Sequence, residues 1–199
     1  MALIDVCPID SIPREAWRNG GGTTRTLATG GAQWRVSLAS IDRNGPYSRF
    51  PGISRVSLIL SGDGVTLTSD EAIVRLRPRV AEAYDGDVDW RAALVGGPSV
   101  ALNVMTAKGR YRTTVRVMDE PVVVRPGCTA IAIALGLGYT FAEGVDTSGG
   151  NVMPGQVLVS EHHAHPLRLA PWGATVSDVG HDAYAALVTI EPAPVQQRS

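Results

Sequence analysis

Twenty-two glycines and 13 prolines are scattered along 199 residues, and this punctuation leaves little room for long helices. Proline removes a backbone donor and fixes φ, while glycine weakens any helix interior. Between these breaks lie short runs rich in Val, Ile, Leu and Thr: Trp34–Ile41, Arg55–Leu60, Val65–Thr68, Ile73–Leu76, Val100–Met105, Arg112–Met118, Thr129–Leu135, Gln156–Ser160 and Tyr184–Ile190. Runs of this length bounded by turn residues predict the strands of a sandwich or barrel rather than alternating strands and helices. Short helical turns are expected only over Asp89–Leu94 and Ser11–Trp17. The expected class is all-β.

A repeat runs through this pattern. Val56–Leu60 meets a glycine turn at Ser61–Gly64, then Val65–Thr68, then Val74–Pro78. In the second half Ile131–Leu135 meets Gly136–Gly138, then Tyr139–Phe141, then Met153–Val159. Two copies of strand, turn, strand, loop, strand predict two related β-barrels packed in one chain, dividing near Val117–Pro126. The expected units are 1–117 and 118–199. With 44% hydrophobic and 19% charged residues the chain can bury a core, and its net charge of −1 gives no broad attraction to nucleic acid or an anionic membrane. Seventeen of its 18 basic residues are Arg, Lys108 being the one Lys, so its anion chemistry is planar, bidentate guanidinium chemistry. Cys7 and Cys128 lie far apart with no metal spacing, and Asp5 and Pro8 interrupt any leader-like apolar run. A cytoplasmic location is expected.

The segment Trp17-Arg18-Asn19-Gly20-Gly21-Gly22-Thr23-Thr24-Arg25 stands out. Three glycines let backbone N–H groups approach an anion closely, and successive N–H groups can form a concave anion site. The segment has neither the Gly-Lys-Ser/Thr ending of a phosphate loop nor the G-x-G-x-x-G dinucleotide fingerprint. A plain connector remains the alternative. In Trp34-Arg35-Val36-Ser37-Leu38-Ala39, strand alternation puts Arg35 and Ser37 on one face and Trp34 on the other. An inward Arg needs a partner, because an unpaired buried guanidinium is costly. Arg55 could aim at the same pocket, Asn103 could orient a carboxylate beside Met105, and Tyr84 could form a wall. Glu161-His162-His163-Ala164-His165 invites a metal reading in which His163 and His165 share a strand face. No carboxylate follows before Asp178, however, and His181 is the one other His. Neither a metal nor another cofactor is expected. No G-x-S-x-G elbow is present, and neither Cys carries a nucleophile motif.

Trp17–Arg25, Trp34–Ala39, Gly45-Pro46-Tyr47-Ser48-Arg49-Phe50-Pro51-Gly52, Arg55, Tyr84-Asp85-Gly86-Asp87 and Leu102-Asn103-Val104-Met105 together resemble the HutD family. The resemblance spans residues 5–190, with its motifs in the first 110. It implies a bicupin fold, two cupin-like barrels in one chain, and an association with bacterial histidine utilisation and histidine catabolism without an established catalytic step. It also implies regulation through binding of a pathway metabolite such as N-formylglutamate. By motif match the pocket draws on Asn19, Thr24, Arg25, Arg35, Ser37, Arg55 and Asn103, with Trp34, Tyr84 and Met105 as walls. One departure is Ala101, where family members usually carry an acidic residue.

The expected function is therefore non-catalytic small-molecule binding. The partner is a small anionic metabolite, with no nucleic acid and no membrane, and self-association into a homodimer is left open. The alternative is a metal-free cupin enzyme, an isomerase or hydrolase acting on a related metabolite.

Overall fold

The structure is a computed structural model that describes residues 4–144, 149–172 and 185–194. In the first half, β1 (Ile4–Pro8) leads to β2 (Glu15–Ala16), β3 (Gly22–Thr29), β4 (Trp34–Ile41), β5 (Gly45–Tyr47) and β6 (Ile53–Ser61). Then come β7 (Val65–Thr68), β8 (Ile73–Leu76), β9 (Ala81–Asp85), β10 (Trp90–Leu94) and β11 (Ser99–Ala107). The remainder holds β12 (Tyr111–Met118), β13 (Val122–Val124), β14 (Thr129–Ala134), β15 (Tyr139–Glu143), β16 (Gly149–Val152), β17 (Gln156–Ser160), β18 (Leu167–Pro171) and β19 (Ala185–Pro192). The one helical element among the described residues is a 3-10 turn at Ile9–Ser11. The chain is all-β. None of its described helices is long and apolar enough to cross a membrane.

Both short helical turns expected from the sequence are corrected. Asp89–Leu94 yields β10, because Trp90 and Ala92 are buried while Arg91 and Ala93 are exposed, a period of two that only a strand satisfies. Ser11–Trp17 yields the end of the 3-10 turn and then β2, which pairs with β3. Tyr184, which opens the last expected run, lies outside the described residues, as do Asp178 and His181.

The chain separates into two units. One comprises Pro8–Lys108 with Val115–Val117; the other comprises the described residues of Met1–Cys7, Gly109–Thr114 and Met118–Ser199. The separation is not a single cut, since β1 joins the later unit by sitting at the edge of the sheet β1-β17-β14-β19-β12. That unit's other sheet is β13-β18-β15-β16, and Ala130, Ala132, Tyr139, Leu158, Leu167 and Leu187 from both sheets form its apolar core.

The unit spanning Pro8–Lys108 places a six-stranded sheet, β2-β3-β4-β11-β6-β9, against a four-stranded sheet, β5-β10-β7-β8. Ile41, Ile59 and Ala101 from the first meet Val65, Leu67 and Leu76 from the second. Along the inner face of the larger sheet the register lines residues up in rows. Ala39, Ala101 and Ile59 form an apolar row; Ser37, Asn103 and Ser57, with Glu82 at its edge, form the next; Arg35, Met105, Arg55 and Tyr84 form the one after. The face thus turns from apolar to cationic within three rows.

Of the three consecutive glycines, Gly22 matters most for this register. It pairs with Ile41, and a Cβ there would lie 1.9 Å from the Ser40 carbonyl oxygen. The neighbour is backbone and cannot swing away. Gly22→Ala is therefore expected to destabilise the protein by about 3 kcal/mol, at the upper end of ordinary point substitutions. Urea unfolding checks this, and an unchanged midpoint would contradict it.

Candidate functional site

Register decides which side chains reach the cationic end of the sheet. Directly paired residues in an antiparallel ladder share a face. Thr24 pairs with Ala39 and so shares the face of Arg35, Ser37, Asn103 and Arg55, whereas Arg25 pairs with Leu38 on the opposite face. Trp34 pairs with Thr106, again opposite.

A cavity of about 560 Å³ opens over this end. Thr24, Arg35, Arg55, Asn103 and Met105 line it from the sheet, and Tyr47, Ser48 and Phe50 line it from β5 and the following loop. The hairpin ahead of β3 contributes Glu15, Ala16, Trp17, Arg18 and Asn19. Trp17 is anchored there because its Nε1–H donates to Thr24 Oγ1 at 2.7 Å and its ring meets Tyr47 edge-on, with centroids 6.0 Å apart.

Arg55 is only 2% exposed. Its Nη1 donates to the Ser48 carbonyl at 3.2 Å and its Nη2 to Asn103 Oδ1 at 3.2 Å, while its buried Nε has no partner among the described residues. Three rings surround the guanidinium, with Cζ 4.6 Å from the Tyr47 centroid, 5.0 Å from Tyr84 and 5.2 Å from Phe50. Arg35 shares the Phe50 ring at 5.7 Å, and its Nη2 meets Met105 Sδ at 3.2 Å. Its Nε too is buried without a partner among the described residues. No described carboxylate pairs with Arg35 or Arg55. Of the residues lining the cavity, Glu15 is the one acid, and it is exposed.

Beneath Arg55 a chain of hydrogen bonds fixes the polarity of the floor. Ser57 Oγ donates to Asn103 Oδ1 at 3.3 Å, so the 2.9 Å contact between Ser57 Oγ and Tyr84 Oη has the phenol as donor. Burial, above all, pushes the Tyr84 phenol up from its ordinary pKa, with the neighbouring Tyr47 adding to it. Tyr84 is thus a neutral donor. Asn103 Oδ1 already accepts from two sides, which leaves the Nδ2 amide as the group Asn103 can offer to the cavity. Every strong polar group on the floor is a donor or a cation. Such a set repels a metal ion rather than ligating one, and suits an anion.

The structure gathers Asn19, Thr24, Arg35, Arg55, Asn103 and Met105 around the cavity, and Ser37 and Tyr84 beneath it. Two residues expected in the pocket are placed elsewhere. Trp34 is buried on the other face of β4. Arg25 clasps the 3-10 turn instead: its guanidinium donates to the carbonyls of Ile9, Asp10 and Ile12 and pairs with Asp10 Oδ1 at 2.8 Å. The glycine N–H groups are not an anion cradle either. Gly20 N donates to the Trp17 carbonyl and Gly21 N to Asn19 Oδ1, closing the hairpin on itself. Glu15, Trp17, Arg18, Tyr47, Ser48 and Phe50 reach the cavity without having been singled out individually, although all but Glu15 stand inside the quoted motifs.

His163 is buried and His165 exposed, both in the loop between β17 and β18, so they share no strand face. Among the described residues no group of three or more His, Cys, Asp or Glu is placed to hold a metal. A second depression, about 620 Å³, lies beside Tyr84 and Trp90 with Asp70, Glu71 and Asp89 around it.

Comparison with known proteins agrees with the motif order. The HutD family model matches residues 10–174. The chain belongs to the HutD family. It is similar to Protein Ves of Citrobacter koseri, 39% identical over 119 residues that cover 56% of this chain and 62% of the relative. It is also similar to an uncharacterised 21.2 kDa protein in the hutC 3' region of Pseudomonas putida, 32% identical over 126 residues, covering 60% of this chain and 66% of the relative. The matched stretches thus span a little under two thirds of these relatives. In fold, the chain is similar to HutD from Pseudomonas fluorescens SBW25, with a TM-score of 0.76 at 23% identity over 96% of this chain and 99% of the other. Oxalate decarboxylase of Bacillus subtilis shares the fold more distantly, with a TM-score of 0.59 at 7% identity over 94% and 76% of the two chains. The fold is cupin-like.

Two substitutions test the assignment of these arginines in the ligand-free protein. Arg25→Ala, which removes several hydrogen bonds and an ion pair, should cost about 2 kcal/mol. Asn103→Asp should stabilise by about 1 kcal/mol, because it turns a neutral hydrogen bond to Arg55 into a charge-assisted one. Thermal unfolding measures both, and destabilisation by Asn103→Asp would argue against an uncompensated guanidinium.

Proposed function

We propose that the cavity binds a small carboxylate, best a short dicarboxylate of the N-formylglutamate type, and that the protein acts by binding rather than by catalysis. The observation that carries this reading is Arg55, a buried guanidinium with no acidic counterion among the described residues. Desolvating such a charge costs several kcal/mol unless something anionic completes it. Arg35 and Arg55 both stand over Phe50, which keeps their guanidinium carbons within about 11 Å of each other, a span that two carboxylates on one short ligand can bridge. The Asn103 amide and the Thr24 hydroxyl supply neutral donors for a carbonyl between them.

Binding without turnover fits the groups present. Tyr84 is held protonated, and Glu15 stands at the exposed edge rather than over the floor. General acid-base work needs a group poised near neutral pH within reach of the reacting atom. The same proposal includes the finer architectural reading, that the two units are the cupin-like barrels of a bicupin, supported by the paired sheets in each. It also includes a role in modulating histidine utilisation from the cytoplasm, supported by family membership and by the P. putida relative's place in the hutC 3' region.

Isothermal titration with N-formylglutamate, glutarate and acetate tests the reading. Wild type is expected to bind the dicarboxylates, Arg35→Ala and Arg55→Ala to lose at least ~10-fold in affinity, and Arg25→Ala to bind as wild type. Asn103→Asp should also lose binding, since its carboxylate occupies the position a ligand would neutralise. Equal affinities for wild type and Arg35→Ala would overturn the assignment.

A further inference from the structure

Lys108, the one lysine of the chain, stands outside the cavity, and the pocket reading does not use it. Its ammonium pairs with Asp85 Oδ1 at 2.6 Å and with Asp87. Asp87 Oδ1 in turn accepts the Gly52 N–H at 2.7 Å, and Lys108's own N–H donates to the Gly52 carbonyl at 2.9 Å. Phe50 N–H donates to the Gly86 carbonyl at 2.7 Å, and Gly86 N–H to the Ile53 carbonyl at 2.9 Å. Three segments, 50–53, 85–87 and 108, are thereby tied into one knot. The knot is close-packed as well: a Cβ on Gly86 would lie 2.6 Å from the Ile53 carbonyl oxygen and 2.8 Å from that of Phe50.

What the knot holds is Phe50, the ring that Arg35 and Arg55 share. Two guanidiniums facing one cavity repel each other, and the π-system of the ring they share offsets part of that repulsion. Arg55 is buried and hydrogen-bonded, so it keeps its place with or without Phe50. Arg35 is half-buried, its Nη2 contact is a weak one to a thioether sulfur, and it can swing into water if the ring moves. We propose that Lys108 is a positioning residue, which acts through Asp87, Gly52 and Phe50 to hold Arg35 beside Arg55 so that the two capture a dicarboxylate as a pair. This rests on the carboxylate-binding reading. The three charges persist at neutral pH: hydrogen bonding to Lys108 holds both carboxyls below the usual carboxylate range, and they in turn raise the lysine.

Titration with glutarate and with acetate tests the proposal, because the two probes separate the paired capture from the single Arg55 site. In Lys108→Met the glutarate affinity should fall by about 10-fold while acetate changes by less than ~2-fold. Lys108→Arg should restore the glutarate preference. Phe50→Ala should reproduce the loss, and Lys108→Met should add nothing to it in the double variant, since residues acting through one element are not additive. Equal losses for both probes, or additive losses in the double variant, overturn the positioning role. Asp87→Asn takes the place of Lys108→Met if the latter does not fold, since its amide oxygen still accepts the Gly52 N–H while the charge is gone. Should wild type bind neither probe, the carboxylate reading itself has failed. Amide exchange of Phe50 and Gly86 in the ligand-free variants then decides the knot alone: faster exchange in Lys108→Met supports it, and unchanged exchange refutes it.

Discussion

A buried guanidinium with no carboxylate paired to it among the described residues is a costly feature, and the surroundings of Arg55 make it tolerable. Three aromatic faces, a backbone carbonyl and an amide oxygen surround the charge. Each offers a partial negative charge and none neutralises it. A core residue of the same volume would be cheaper by several kcal/mol. Stability alone therefore gives no reason for an Arg at this position, whereas the proposed capture of an anion gives one: the field that burdens the fold is the field that would hold a ligand. The floor follows the same logic: the Asn103 oxygen accepts from Arg55 and Ser57, the Ser57 hydroxyl accepts from Tyr84, and the Asn103 amide is left as a donor to the cavity.

Strand alternation transmits this constraint through the sheet, and it explains what was readable beforehand. The all-β class was legible because glycine and proline leave only short β-branched runs. That Arg35 and Ser37 share one face was legible from a period of two, and the structure keeps it. The same rule, applied strictly, separates Thr24 from Arg25 and Trp34 from Arg35, because adjacent residues on a strand cannot both face one cavity. Motif membership grouped those neighbours together; the ladder divides them. Asp89–Leu94 failed for a related reason, as a five-residue alternation with Ala at two of its positions reads ambiguously until burial is known.

Other parts of the site were hidden because they depend on contacts distant in the chain. Trp17 and Phe50 come from a hairpin and a loop, and Tyr47 from the end of the three-residue β5, where no sustained periodicity gives a direction to a side chain. Three consecutive glycines suggest either ligand-approaching backbone or a plain connector, yet the requirement at Gly22 comes from the Ser40 carbonyl across the ladder, a partner the sequence does not announce. In the sequence Lys108 stands out only as the one lysine. Its two acidic partners lie more than twenty residues earlier and act on a loop earlier still.

The contrast between the two units argues that the polar rows serve the site rather than the fold. In the later unit the sheet β1-β17-β14-β19-β12 and its partner bury Ala, Val, Leu, Met118, Cys128 and Tyr139, and among the described residues that core holds no charged side chain. Two packed sheets therefore close in this chain without residues like Arg35, Asn103 or Arg55 on an inner face. Oxalate decarboxylase keeps a similar scaffold at 7% identity, so the sequence can change almost entirely while the fold persists. In the Pro8–Lys108 unit the apolar row of Ala39, Ala101 and Ile59 does the packing, two rows from the arginines. That separation lets the cationic row carry an uncompensated charge without placing it at the centre of the core.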